Sequence, residues 1–300
     1  MRENKNNRIL WIISFVVICS FWILLGSTLI NIYSKTSYLL DKNGHFFNTE
    51  IYNYIGANIP FLSMWLGFYF CFKYINNIKF SKLINNSGKI NSSLFINTFI
   101  FSFIFLICIV IIGALFNFYT LEFIQNKWKQ RLILFIITLI LTPLQVIGEE
   151  ILFRGLLLKI FIKDYDRFKN KKHSLSLSIL VSIIVGLIFI LPHLFNPEVD
   201  AYFFSAIIYY FLFGSLATFS ILITSSLEIP IAIHLANNFI ITFFSTYENS
   251  ALASIPLFIE KNELPISKYY ETFGLLILFI IVGIKNRDKL KSYFKIENKM

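Results

Sequence analysis

The 300 residues carry 56% hydrophobic and 18% aromatic side chains, only 15% charged ones, and a mean hydropathy of +0.68. A water-soluble domain of this size has too little interior to hide so much apolar surface, so soluble globular, disordered and fibrous chains are excluded. The net charge of +10 does not by itself signal a nucleic-acid partner, because the basic residues are spread over several loops.

Apolar runs of about twenty residues can cross a bilayer as helices. They predict an all-α, polytopic transmembrane bundle with spans at 9–30, 52–75, 94–118, 132–158, 175–196, 202–224, 228–246 and 267–284. Residues 1–300 read as a single integral membrane domain, whose motif-bearing core is 130–245. The first span follows Arg2, Lys5 and Arg8 and is similar to a signal peptide. Its apolar run is too long for one and no A-x-A site follows, so an uncleaved anchor is expected. Cys19, Cys71 and Cys108 each lie inside an apolar run and read as small buried hydrophobes, not disulfide or metal ligands. The seventh span is short and carries His234, Asn237 and Asn238.

Charge orients this ladder. Of the 27 Lys and Arg residues, 19 fall in the two tails and the loops near 76–93, 159–174 and 225–227, all on one side. The positive-inside rule makes that side cytoplasmic, with both termini there and anionic lipid headgroups as partners. No repeat of fixed period is visible, which weighs against a transporter. The loops are too short for a soluble domain. Chemistry is therefore expected in or beside the bilayer.

Span four ends with Gln145, Gly148, Glu149, Glu150 and Arg154. Ionisable groups at bilayer depth each cost roughly 2.5–3.5 kcal/mol on insertion scales, so they normally mark a site. Adjacent helical residues point about 100° apart, so Glu149 and Glu150 cannot serve one point equally. Glu150 and Arg154 stand four apart on one face, acid first, the favourable order for pairing. Glu150–Arg154 therefore reads as a neutralised pair, leaving Glu149 to face a cavity. The bland alternative is that all three sit at the interface and snorkel.

Span five contributes Phe189 and His193, and span seven His234 and Asn238, which share a helix face. A lone intramembrane histidine is more often packed than a ligand, and an asparagine there can be interhelical glue. His45 and His173 fall in loops and read as solvated. Glu149, His193, His234 and Asn238 together are what hydrolysis needs: a carboxylate base, imidazoles that orient or shuttle a proton, and uncharged oxyanion donors. Alternatively, Glu149, His193 and His234 would hold zinc with one open position. No H-E-x-x-H occurs.

Glu-Glu-x-x-x-Arg (149–154), Phe-x-x-x-His (189–193) and His-x-x-x-Asn (234–238), in this order, resemble the three motifs of the CPBP intramembrane proteases, the CAAX-protease and bacteriocin-processing (Abi) group. Phe-Arg-Gly at 153–155 and Ser226–Ile231 are similar to that family as well. The resemblance implies an eight-helix bundle, a cavity opening towards the cytosol, and cleavage of peptide bonds in membrane-associated peptides or proteins. It implies that Glu149 and His193 activate water and that His234 and Asn238 form an oxyanion hole. Glu150, Arg154 and Phe189 would support the site. Family members are often described as metalloproteases, yet Asn238 is a poor zinc ligand and a good oxyanion donor.

One point of geometry stays open. Glu149 and His234 lie roughly 10–15 Å from the basic side at 1.5 Å per residue, while His193 comes out nearer the far side. An interfacial start to span five or a break at Pro192 would reconcile them. The competing readings are a non-catalytic immunity or sensor-regulating protein on the same scaffold, and a transporter or channel. The abundance of Ile, Asn, Lys and Phe suggests an AT-rich bacterial genome. It thus points to a bacterial plasma membrane and to peptide processing rather than prenyl-protein maturation.

Overall fold

The computed structural model describes residues 8–36, 48–78, 81–84, 89–162, 175–224, 226–264 and 266–286. Arg2, Lys5, His45, His173, most of the basic 159–174 loop and nearly all of the C-terminal tail lie outside the described residues.

Seven helices are long and apolar enough to cross a membrane. They are α1 (Arg8–Ser34), α2 (Thr49–Ile75), α3 (Ser92–Leu115), α4 (Trp128–Phe161), α5 (Leu175–His193), α6 (Phe203–Thr224) and α8 (Ser267–Lys285). Between the last two runs the shorter α7 (Glu228–Phe244). The chain is an integral membrane protein with about eight spans. Residues such as Ile9, Leu24, Leu66, Ile104, Ile140 and Phe204 present apolar side chains outward, as a lipid-facing surface does. Cys108 is among the exposed residues and Cys19 is half-buried; of the three cysteines only Cys71 is buried. Cys108 falls on the outward face of α3 while its neighbours Leu106 and Val110 are buried, so its burial did not follow from lying in an apolar run.

Helix starts follow capping chemistry. Asn48 Oδ1 accepts from the Ile51 N–H at 3.0 Å, and Asn91 Oδ1 from the Leu94 N–H at 3.0 Å. Span three stops at Leu115, short of the expected 118, because Asn117 adopts a left-handed φ of 56°. Spans five and seven also stop early, at His193 and Phe244.

The all-α expectation omits one element. Strands β1 (Thr120–Phe123), β2 (Ser245–Tyr247) and β3 (Phe258–Lys261) form a small sheet in the order β1-β3-β2. β1 pairs antiparallel to β3, Thr120 opposite Lys261, and β2 parallel to it, Ser245 opposite Phe258. Four residues or fewer per strand is too short for a period-two pattern to stand out beside the apolar spans. Arg131 ties this end to α4: Nη2 donates to the Ile124 carbonyl at 2.5 Å, and Nε to those of Pro256 and Ile255 at 3.0 and 3.2 Å.

Helices α5 and α6 approach closely at two glycines. A Cβ on Gly186 would lie 2.1 Å from Ser215 Oγ and 3.0 Å from the Phe211 carbonyl, and one on Gly214 3.0 Å from the Gly186 Cα. Small residues at this crossing let the backbones touch. They bring Phe189 and Phe213 ring to ring, centroids 5.9 Å apart, beneath the charged end of α4.

Candidate active site

The α-helical part of α4 ends at Glu150 and passes into a π-helical turn, Ile151–Leu156. Such turns widen the helix locally and often occur at functional sites. Glu149 and Glu150 are both buried, at 4% and 0% exposure, and Arg154 is at 1%. Arg154 Nη1 donates to Glu150 Oε1 at 3.0 Å, with neither side chain exposed. The guanidinium carbon lies 4.0 Å from the Phe189 ring centroid and 5.7 Å from that of Phe213. Two aromatic faces thus shield the cation on the side the carboxylate does not cover. Phe189 thus packs its ring face directly against Arg154.

Glu150 Oε1 has a second partner, His234 Nδ1 at 2.9 Å. A carboxylate only accepts, so Nδ1 carries a proton and donates. The other ring nitrogen, Nε2, then faces Glu149 Oε2 at 3.8 Å. Gln145, one turn before Glu149, offers Nε2 to its Oε1 at 3.4 Å. Glu150 is therefore shared between α4 and α7, a link the i,i+4 reading of Glu150–Arg154 did not contain. The Phe213 ring meets His234 edge-on at 4.9 Å and fixes its plane from α6.

His193 is the last residue of α5. Its Nδ1 is 2.7 Å from the Phe189 carbonyl, which can only accept, so Nδ1–H donates and a neutral ring leaves Nε2 as the acceptor. The ring packs against Tyr210 at 4.1 Å. Asn238 is 5% exposed. Its Oδ1 accepts from Asn237 Nδ2 at 3.5 Å, and Asn237 Oδ1 in turn accepts from Tyr209 at 3.0 Å. That leaves the Asn238 amide NH₂ as a donor.

One cavity of about 330 Å³ is lined by Glu149, His193, His234 and Asn238, with Phe189 and Gln145. Glu150 and Arg154 stand behind its wall. The cavity also runs to Glu198, Tyr202, Tyr247, Glu260, Lys268 and Glu271, which belong to the sheet end of the bundle. Its length is what lets His193, at the sheet end of α5, and Glu149, well inside α4, line the same space. Pro192 lies in the last turn of α5, which ends one residue later at His193. The lining runs towards the sheet end, whereas the resemblance implied a cavity open on the basic side.

The sheet-end residues, together with Gln145, Tyr209, Tyr210, Phe213 and Asn237, were not assigned to a site from sequence. Gln145 had a readable signal, its i,i+4 spacing to Glu149. The others reach the cavity through tertiary packing alone. Glu149, His193 and His234, the set that would hold zinc, all touch the cavity. Among the described residues, however, no three His, Cys, Asp or Glu side chains are grouped to hold a metal ion. The donor set as arranged does not fit a metal.

Residues 127–240 match the family described as Type II CAAX prenyl endopeptidase Rce1-like. Over 97% of its length the chain is 25% identical to Uncharacterized protein YyaK of Bacillus subtilis (strain 168), 97% of which is covered. No solved structure matches the chain.

Proposed function

We propose that this chain, whose residues 127–240 are similar to the Rce1-like family of CAAX prenyl endopeptidases, is an intramembrane endopeptidase hydrolysing membrane-associated peptides or proteins with a glutamate-activated water. The observation that carries the proposal is the convergence of Glu149, His193, His234 and Asn238 on one buried cavity. The supporting bonds leave free Glu149 Oε2, His193 Nε2 and the Asn238 NH₂, while the Nδ1–H of His234 is given to Glu150.

Glu149 takes a proton from water, and the resulting hydroxide attacks the substrate carbonyl. His193, with Nδ1–H tied to the Phe189 carbonyl, presents Nε2 as an acceptor that orients the same water. The tetrahedral oxyanion is met by the Asn238 amide NH₂ and by His234. With Nδ1–H donated to Glu150, His234 Nε2 carries a hydrogen only in the imidazolium form. Glu149 then returns the proton to the leaving amine, closing the cycle with the peptide bond split and one water consumed.

Purified protein in nanodiscs should cleave membrane-proximal peptides. Glu149→Gln keeps the volume and removes the base, so cleavage should fall by a factor of about 10²–10⁴, the usual size of a general-base contribution, with melting unchanged. Full activity in Glu149→Gln would overturn the mechanism. Asn238→Ala is expected to cost roughly 10²–10³ in kcat, as loss of one oxyanion donor does.

A further inference from the structure

His193 is the last residue of α5, and its ring depends on what lies against it. The bond from Nδ1–H to the Phe189 carbonyl, 2.7 Å long, fixes one atom of the imidazole. A single hydrogen bond is a pivot and leaves the plane of the ring free to turn. Two aromatic rings set that plane. Phe189 lies 4.5 Å away at 45°, and Tyr210 of α6 lies closer and more nearly parallel, 4.1 Å at 32°. Tyr210 is itself held at its hydroxyl, which accepts from Asn196 Nδ2 at 2.9 Å and donates to Glu198 Oε1. Asn196 and Glu198 follow directly after α5, the second of them in the short helix Pro197–Ala201. The chain thus folds back onto its own histidine by way of Tyr210. Glu198 is buried, and its other oxygen accepts from the Ala251 N–H at 2.9 Å, in the loop that closes the sheet end of the cavity.

We propose that Tyr210 is a positioning residue for His193, and that Glu198, bound to the Tyr210 hydroxyl through one oxygen and to Ala251 through the other, ties that positioning to the closing loop. What His193 does is taken from the proteolytic reading; what holds it rests on the contacts alone.

Orienting a water demands more of His193 than its presence. The lone pair of Nε2 lies in the ring plane, so a tilt of the plane turns it away from the water. Groups with such a task have to be held within about 0.5 Å and 10–20° by neighbours that are themselves locked. A helix end is a poor place for this, because its last turn frays. Tyr210 supplies the missing wall from α6, which crosses α5 closely at Gly186 and Gly214. A tyrosine has only two side-chain torsions, and a hydroxyl pinned by two partners leaves neither of them free. Glu198 accepts from Tyr210, Asn196 and Ala251. It serves α6 and the loop at once, so neither can shift alone without stripping a donor from a buried carboxylate.

The test compares full-length Tyr210→Phe, Tyr210→Leu, Glu198→Ala and the combined Tyr210→Phe/Glu198→Ala protein in nanodiscs. One readout is nitrogen NMR of histidine-labelled protein, with the His193 signals assigned by their loss in His193→Gln. The other is kcat and KM on a membrane-proximal peptide. The unaltered protein should show His193 as a single neutral ring with its proton on Nδ1. Tyr210→Leu should broaden or split that signal. Tyr210→Phe keeps the stack but not its anchor and should do so less. In Tyr210→Leu, kcat should fall about tenfold to a hundredfold, the cost of a misplacement near 1 Å, with KM nearly constant. Glu198→Ala should lower kcat as Tyr210→Phe does, and the combined variant no further, because Glu198 acts through the hydroxyl. If Tyr210→Leu fails to fold, Tyr210→Phe keeps the volume and decides the question by itself. An unmoved His193 signal, a raised KM at constant kcat, or losses that add in the combined variant overturns the positioning. The histidine signal requires no cleavage. Its disturbance in variants of a protein that cuts nothing would keep the positioning and sink the protease; cleavage with His193 unmoved would do the reverse.

Discussion

Arg154 is held by three things at once: Glu150 Oε1 at 3.0 Å and the faces of Phe189 and Phe213. Sequence spacing alone paired it with Glu150; the aromatic faces came from two other helices. Because Glu150 also accepts from His234, the ion pair is a fixture for the imidazole as well as for α4. Removing one partner of a buried pair leaves an uncompensated charge and typically costs about 3–5 kcal/mol. Arg154→Met should therefore destabilise the protein by that order, read as thermal unfolding in detergent. Adding Glu150→Gln should recover much of the loss while leaving His234 without its anionic acceptor. Unfolding unchanged in Arg154→Met would show that the pair carries no such strain.

Among the elements, α7 shows most clearly why the sequence signal was weak where the chemistry is dense. It is short, and nearly every residue from Glu228 to Ile240 is buried. A helix packed all round by other helices can carry His234, Asn237 and Asn238, because protein rather than lipid satisfies them. The loop after it, with β2 and β3, closes the sheet end of the cavity through Ser250, Ala251, Leu252 and Ala253. Arg131 holds that loop by the carbonyls of Ile255 and Pro256. Arg131→Ala should raise amide hydrogen exchange in 250–257 by about an order of magnitude, the loss of roughly one net hydrogen bond, and leave α5 and α6 protected. Equal exchange in the two proteins would place the closure elsewhere.

For the whole molecule, the unequal distribution of lysine and arginine sets an expected orientation: basic loops and termini towards the cytoplasm, the three-stranded sheet away from it. Single cysteines introduced into a cysteine-free background test this. One at exposed Asn249 should react with a membrane-impermeant thiol reagent in intact cells. One at exposed Lys285 should react only after the membrane is opened. The reverse pattern would invert the molecule and put the sheet end of the cavity on the cytoplasmic side.

The membrane class, the ladder of helices and the three motifs could be read from the chain because they are local: hydropathy over about twenty residues, and spacings of four within one helix. The seventh span was short in sequence and is short in the structure. Long-range pairing could not be read this way. Nothing in the spacing of Glu150 points to His234, 84 residues away, nor does Phe213 stand out from the other 34 phenylalanines. The sheet was missed because strands of three or four residues carry almost no periodic signal. The sheet end of the cavity draws Glu198, Tyr247, Glu260 and Lys268 from separate segments, each unremarkable in its own sequence context. Sequence alone determined what the molecule is made of and where its expensive charges lie, since transfer free energy is a property of each segment. Only the tertiary structure decided which charges meet, because neutralising them requires partners that the fold brings from distant helices into one low-dielectric space.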